Sequence, residues 1–239
     1  MCLPSSSAAA GEARDHPTTE ASLRSLEVQT SLLDQNDRQA ERNRGFFLGR
    51  GLIALNLVSS PGAGKTTLLE RTMRELRPEV GCAALVGDLE TDNDAKRLAR
   101  AGCPVVQITT GTACHLDSSM VARGLPRLDL TGARLLFIEN VGNLVCPADF
   151  DLGENIRVVL LSCAEGEDKP LKYPPIFKSA HAVLLTKVEI AGVLGFDREE
   201  AVRNLRLIAP QARIIQLSAV SGEGLPEWYG FLRSLLPPA

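Results

Sequence analysis

The sequence predicts an α/β domain: a mostly parallel sheet of about seven strands, flanked by helices and preceded by an N-terminal helix. Three observations carry this. Seven short apolar runs with little polar alternation recur along the chain, as strands buried on both faces require. Helical segments separate several of them, as crossovers between parallel strands do. A glycine-rich turn, "SSPGAGKTT", joins the first run to the first of those helices, which is the strand-to-helix setting of a phosphate-binding loop and so of a P-loop NTPase.

At 239 residues the chain is long enough to bury one full core. Its first twenty residues are rich in Ser, Ala and Thr, without a basic leader or an apolar h-region, so residues 1–25 are expected to form a disordered tail. From Leu26 the apolar residues Leu26, Leu33, Ala40 and Phe47 recur every seven positions, and Leu32 and Phe46 widen the stripe. This spacing predicts a helix over 26–48, with "DRQAERNR" as its solvated face. Residues 49–239 then form the nucleotide-binding domain.

Its strands are expected at "LIALNLV", "CAALVG", "VVQI", "RLLFIE", "IRVVLL", "HAVLLT" and "RIIQLS". Helices are expected over 66–76, 93–101, 197–208 and 225–236. The segment "EGEDKPLKYPPIFKS" holds three prolines and shows no period, so it reads as a loop or irregular crossover.

Composition excludes some classes. Lys and Arg number 26 against 29 Asp and Glu, a formal charge of −3, so there is no bulk positive field to hold nucleic acid. No run approaches the length of a membrane span, so membrane insertion is not expected. The six cysteines (Cys2, Cys82, Cys103, Cys114, Cys146, Cys163) follow no small-scaffold disulfide pattern, which fits a reducing compartment and a cytoplasmic protein.

In "SSPGAGKTT", Gly62 and Gly64 permit the tight path that turns several N–H groups inward, with Ala63 and Thr67 on the same cradle. Lys65 reaches the β and γ phosphates and Thr66 ligates Mg²⁺. The general pattern places glycine where Ser59 stands; the flanking strand and helix supply the context regardless. Acidic partners for magnesium are expected at the ends of later strands: Asp88 in "LVGDLETDND" and Glu139 in "LLFIENVG", with the Gly142 N–H placed to sense a γ-phosphate. Asp92 and Asp94 fit better as helix caps. Catalysis would rest on Lys65, Asp88 and Glu139.

In "LLTKVE" the stem of Lys187 can lie across a purine, and the carboxylate of Glu189 can accept from guanine N1–H and N2–H, a pairing adenine does not offer. Ser218 and Ala219, in "LSAVSGEG", bring the Ala219 N–H toward guanine O6. Together these favour GTP and GDP over adenine nucleotides.

"GTACHLD" sets Cys114 beside His115, and Cys146 follows in "NLVCPADF". Two thiolates and an imidazole suit Zn²⁺ or Ni²⁺ if the chain turns there. Three ligands leave a fourth position for water, a partner, or a second copy across a two-fold axis, which would make a metal-bridged homodimer. Cys82, Cys103 and Cys163 read as small buried hydrophobes, and His181 as packing or capping. Cys146 lies four residues beyond Gly142, so movement of Gly142 toward a γ-phosphate would displace a metal ligand.

With these motifs assembled, the chain resembles the HypB family, the P-loop maturation GTPases that insert nickel into [NiFe]-hydrogenase. The likeness runs from "NDRQAERNR" through "ALNLVSSPGAGKTTLLE", "GDLETDNDA", "GTACHLD", "FIENVGNLVCPADFDLGE", "EGEDKPLKYP" and "SAVSGEG", about residues 26–236. It implies a homodimer that hydrolyses GTP while delivering nickel to the hydrogenase large subunit precursor, together with a small zinc-containing accessory protein. Carried over, Lys65 and Thr66 bind phosphate and magnesium, Asp88 and Glu139 serve magnesium and the switch, and Cys114, His115 and Cys146 form the metal site.

The family's Asn-Lys-x-Asp pattern reads Thr186, Lys187, Val188, Glu189 here, so the carboxylate is kept on a longer arm. The N-terminal cysteine cluster or histidine-rich stretch of some members does not occur. No histidine or glutamine near the switch offers itself as general base, and slow turnover is expected. Three alternatives remain at this level: a urease-type nickel GTPase, whose usual Cys-Pro-His motif differs from this one; a small-molecule P-loop kinase, which needs an acceptor pocket and lid; and a zinc-stabilised interaction protein without enzymatic activity.

Overall fold

Each of the seven apolar runs forms a strand, and all pair in parallel. The computed structural model describes residues 19–89 and 93–237. The strands are β1 (Ile53–Ser59), β2 (Cys82–Asp88), β3 (Val105–Thr109), β4 (Leu135–Glu139), β5 (Ile156–Ser162), β6 (Ala182–Thr186) and β7 (Arg213–Leu217), in spatial order β3-β2-β4-β1-β5-β6-β7. Residues one apart on a strand face opposite ways, and both sides of this sheet are apolar. Leu55 and Leu57 of β1 join Leu135 and Phe137 of β4 on one face, while Ala54 and Val58 belong to the other.

The helices are α1 (Thr19–Gly49), α2 (Lys65–Leu76), α3 (Asn93–Ala99), α4 (Ser118–Gly124), α5 (Lys169–Lys172), α6 (Pro174–Lys178), α7 (Ala191–Leu194), α8 (Arg198–Ile208) and α9 (Leu225–Ser234). On the face of Leu55 lie α2, α3 and α9, with Trp228 fully buried and its indole N–H donating to Thr72 Oγ1 at 3.0 Å. On the other face α1 and α4 cover one half and α6 and α8 the other.

Helix α1 begins at Thr19, so residues 19–25, expected in the tail, are helical; residues 1–18 lie outside the described part. Its buried stripe also differs from the expected one. Asn36, Ala40, Asn43 and Phe47 turn inward, while Leu32 and Phe46 are exposed. The two asparagines explain this. Asn43 donates to the carbonyls of Ser118 and Leu152 at 2.8 and 3.0 Å, and Asn36 donates to Asp151 O at 2.8 Å and accepts from Ser118 N–H at 2.9 Å. Satisfied amides take a place in the interface that a count of apolar residues assigns to leucine and phenylalanine.

Helix α4 was not expected; the Asp117 carboxylate caps it, accepting from the Met120 N–H at 2.6 Å. The expected loop over 165–179 contains α5 and α6, parted at Tyr173, because each helix carries proline in its first turn, where no N–H is needed.

Since every strand runs the same way, all seven carboxyl ends meet at one edge. The chain leaves β1 toward β2 across β4, whereas β5 lies on the other side of β1. This reversal opens a crevice beyond the end of β1, and the glycine-rich turn fills it.

Candidate functional site

Residues 60–64 link β1 to α2, with Gly62 at φ 74° and Gly64 at φ 98°, conformations open to glycine at little cost. The Lys65 side chain is buried, and its Nζ donates to Ser59 Oγ at 2.8 Å. The serine that replaces the pattern's glycine thus anchors the lysine. Burial lowers the Lys65 pKa, against the charges of Glu139, Asp94 and Glu165.

Thr66 Oγ1 donates to Glu139 Oε1 at 2.7 Å. Glu139 ends β4, is 3% exposed, and its Oε2 is buried without a hydrogen-bond partner. Burial pushes this carboxyl up to about 7, although Thr66 and Lys65 pull it the other way. A hydroxyl and a carboxylate with an oxygen to spare make a donor set suited to a hard cation, and the neighbouring lysine suits a phosphate beside it.

These groups line a cleft of about 500 Å³ together with Gly62, Gly64, Thr67, Asp88, Gly142 and Lys187. Asp94 and Arg97 of α3 line it as well, Asp94 from the first turn of that helix; Asp92 lies outside the described residues. Gly142 is pressed against the phosphate loop: a Cβ there would stand 2.9 Å from Pro61 Cα. Ala63, by contrast, is buried, and its carbonyl accepts from Thr186 Oγ1 at 2.8 Å.

That last bond gives Thr186 a task hidden in the sequence, where it stood only as a departure from asparagine. It ties the end of β6 to the phosphate loop and so sets Lys187, whose Cε would lie 3.9 Å from a Cβ at Gly64. Lys187 has φ 60°, the left-handed region, and is the one non-glycine residue so placed among the described residues. Such strain persists where the surroundings enforce it. Glu189 is exposed after β6, and Ser218 is buried after β7, its Oγ accepting from the N–H groups of Val220 and Ser221 at 3.2 and 2.8 Å. Arg71 holds the Ala219 carbonyl at 2.9 Å. Glu189, Ser218 and Ala219 stand at the same sheet edge but outside the lining of the phosphate cleft.

The second cluster lies on loops after β3 and β4. The ligand atoms of Cys114, His115 and Cys146 are all within 4.8 Å of one another. Cys114 Sγ is 3.1 Å from Cys146 Sγ and 3.7 Å from His115 Nδ1. The Cys114 thiol is raised in pKa, chiefly by its hydrogen bond to Cys146, and burial lowers that of His115. The His115 ring packs on Phe150 at 4.1 Å between centroids. Cys82, Cys103 and Cys163 are buried, as their apolar settings predict, and His181 Nδ1 accepts from the Arg157 N–H at 3.0 Å, a packing role. A triad of two sulfurs and an imidazole with Cys114 exposed can take up and release a thiophilic divalent ion.

The loop of residues 140–146 joins the two clusters. It touches Pro61 at Gly142, and Asn143 on it donates to the Cys114 carbonyl at 3.4 Å.

Comparison with known proteins agrees with this geometry. Residues 53–216 match the model of the CobW/HypB/UreG nucleotide-binding domain. The hydrogenase maturation factor HypB of Escherichia coli strain K12 is 50% identical over 224 residues, 94% of this chain and 77% of that protein. The crystal structure of HypB from Archaeoglobus fulgidus superposes with a TM-score of 0.80 at 42% identity, covering 85% of this chain and 100% of that one. HypB from Helicobacter pylori in complex with nickel gives 0.79 at 38%, over 84% and 94%. The chain therefore belongs to the HypB family of hydrogenase maturation factors, GTP-hydrolysing P-loop proteins of the CobW/HypB/UreG group.

Proposed function

We propose that the chain carries nickel to the precursor of the [NiFe]-hydrogenase large subunit, and that GTP binding and hydrolysis set how tightly Cys114, His115 and Cys146 hold the ion. One observation supports this most: the loop that presses Gly142 against Pro61 carries Cys146 four residues later. A shift at the phosphate end has little chain in which to be absorbed before it reaches the thiol. Thiolate–metal distances near about 2.3 Å leave little slack.

In this reading the backbone N–H groups of residues 62–67 and the Lys65 ammonium hold the phosphates, and Lys65 offsets charge that develops as water attacks in line. Thr66, Glu139 and Asp88 would hold Mg²⁺, which supplies neutralisation across the β and γ phosphates. The Gly142 N–H answers the γ-phosphate. Lys187, Glu189, Ser218 and Ala219 form the guanine pocket. Nickel is the cargo, and zinc competes for the same ligands. A second copy of the chain supplies the remaining coordination in a homodimer, and a small zinc-containing accessory protein and the large-subunit precursor are the partners in transfer.

The test is nickel affinity measured with GDP and with a non-hydrolysable GTP analogue. A difference of about fivefold or more, about 1 kcal/mol of coupling, is expected. Equal affinities would remove the gating. Release of inorganic phosphate without a phosphorylated acceptor separates this activity from that of a kinase.

A further inference from the structure

A line of buried polar side chains runs from Asn140, in the lining of the phosphate cleft, to the loops of the metal cluster. Asn140 follows Glu139 directly and is 2% exposed. Its amide oxygen accepts the Leu116 and Val141 N–H groups, each at 2.9 Å, and its nitrogen donates to Asn56 Oδ1 at 3.3 Å. Asn56, fully buried within β1, donates in turn to Glu154 Oε1 at 3.1 Å. Glu154 pairs with Arg157, and that guanidinium donates to the carbonyls of Ala148 and Phe150 at 3.2 and 2.9 Å.

Both ends of this line reach the metal loops. Leu116 follows His115 in the chain. Ala148 and Phe150 stand on the turn that begins at Cys146, and the Phe150 ring packs on His115. The surroundings are apolar: Leu116, Ile138 and Leu152 belong to one core cluster. Buried amides and charges cost free energy that apolar side chains of the same volume would not. What the polar line supplies is direction, since each hydrogen bond fixes the angle at which a loop leaves the sheet.

We propose that Asn140 is a positioning residue for the metal cluster: by gripping the Leu116 N–H from the residue next to Glu139, it sets where His115 presents its ring to Cys114 and Cys146. The inference rests on the metal-carrier reading and deepens it. Two connections then leave the phosphate cleft for the ligands, one from Gly142 to Cys146 and one from Asn140 to His115. Partners that orient ligands in this way typically change metal affinity by about 10- to 100-fold when removed.

The experiment uses the full chain with Ni²⁺ alone, titrated against a chromophoric chelator with GDP and with the GTP analogue, while the thiolate-to-nickel absorption band is recorded. Cooperative melting reports on the fold. Asn140→Ala is expected to weaken nickel binding by about 10- to 100-fold, to shift the band, and to keep a cooperative melting transition. Asn140→Asp keeps the accepting oxygen and sets a second carboxyl oxygen opposite Asn56 Oδ1, where a proton on it restores that bond, and is expected to hold nickel more tightly than N140A does.

A folded N140A with wild-type affinity and band overturns the inference. So does a folded N140D that loses affinity as N140A does, and that arm decides the matter if N140A does not melt cooperatively. Cys146→Ala separates the two ideas. If C146A leaves nickel binding unchanged, the metal-carrier reading itself fails; if C146A abolishes it while N140A does not, only the role of Asn140 fails.

Discussion

Glu139 shows how one residue can be tuned by its place. Burial pushes its carboxyl from an ordinary 4.5 to about 7, so the folded chain holds a proton that the unfolded chain has released. A raised acid contributes stability in full below its unfolded pKa and loses it as pH rises through the folded one. Metal-free, nucleotide-free protein should therefore lose up to about 3 kcal/mol between about pH 4.5 and 8 from this group. Urea denaturation at about pH 5 and about pH 8 in a chelator measures it, with Glu139→Gln expected to flatten the decline. Parallel declines in the two proteins would mean that the carboxyl ionises freely in the fold. Lys65, Thr66 and Glu139 were legible in the sequence because spacing after a strand defines them. Thr186 and Asn140 were not, since their hydrogen bonds to Ala63 and Leu116 cross between segments far apart in the chain.

At the scale of elements, the loop after β4 is the one that touches both clusters. Gly142 has no space for a side chain, because a Cβ would meet Pro61 Cα at 2.9 Å and Pro61 N at 3.0 Å, and both are backbone atoms. Gly142→Ala should push this loop from the phosphate loop. GTP hydrolysis is expected to fall by about tenfold or more, the equivalent of about 1.4 kcal/mol, and nickel affinity should stop responding to the nucleotide. GDP affinity, which the proposed phosphate loop and guanine pocket would set, should change little. Steady-state phosphate release and nickel titration check this, and a variant that keeps wild-type turnover and coupling would show that the contact carries no signal. Helix α1 teaches a related lesson: its period and the burial of Ala40 and Phe47 were readable, but the two asparagines on its buried face were not. Asn36 and Asn43 are buried because Ser118, Asp151 and Leu152 present backbone groups to them, and those groups arrive from elsewhere in the fold.

For the whole molecule, the question is whether the metal cluster holds the fold or rides on it. The sheet core is continuous without it, with Leu55, Leu57, Phe137 and Leu184 among many fully buried side chains, and Cys114 is exposed. The double variant Cys114→Ala/Cys146→Ala is therefore expected to melt within a few degrees of wild type and to bind GDP normally while losing nickel binding. Collapse of its thermal transition would instead mark a structural zinc site. Sequence by itself determined the seven strands and the phosphate loop, and marked Cys114 and His115 as a pair that could ligate a metal, because each depends on neighbours in the chain: apolar runs, glycine spacing, a cysteine beside a histidine. Only the tertiary structure decided that Cys146 meets Cys114 at 3.1 Å, that Gly142 abuts Pro61, and that Asn140 joins the two clusters. Those contacts exist because parallel strands bring all their carboxyl ends to one edge, and that convergence is a property of the folded sheet which no local pattern records.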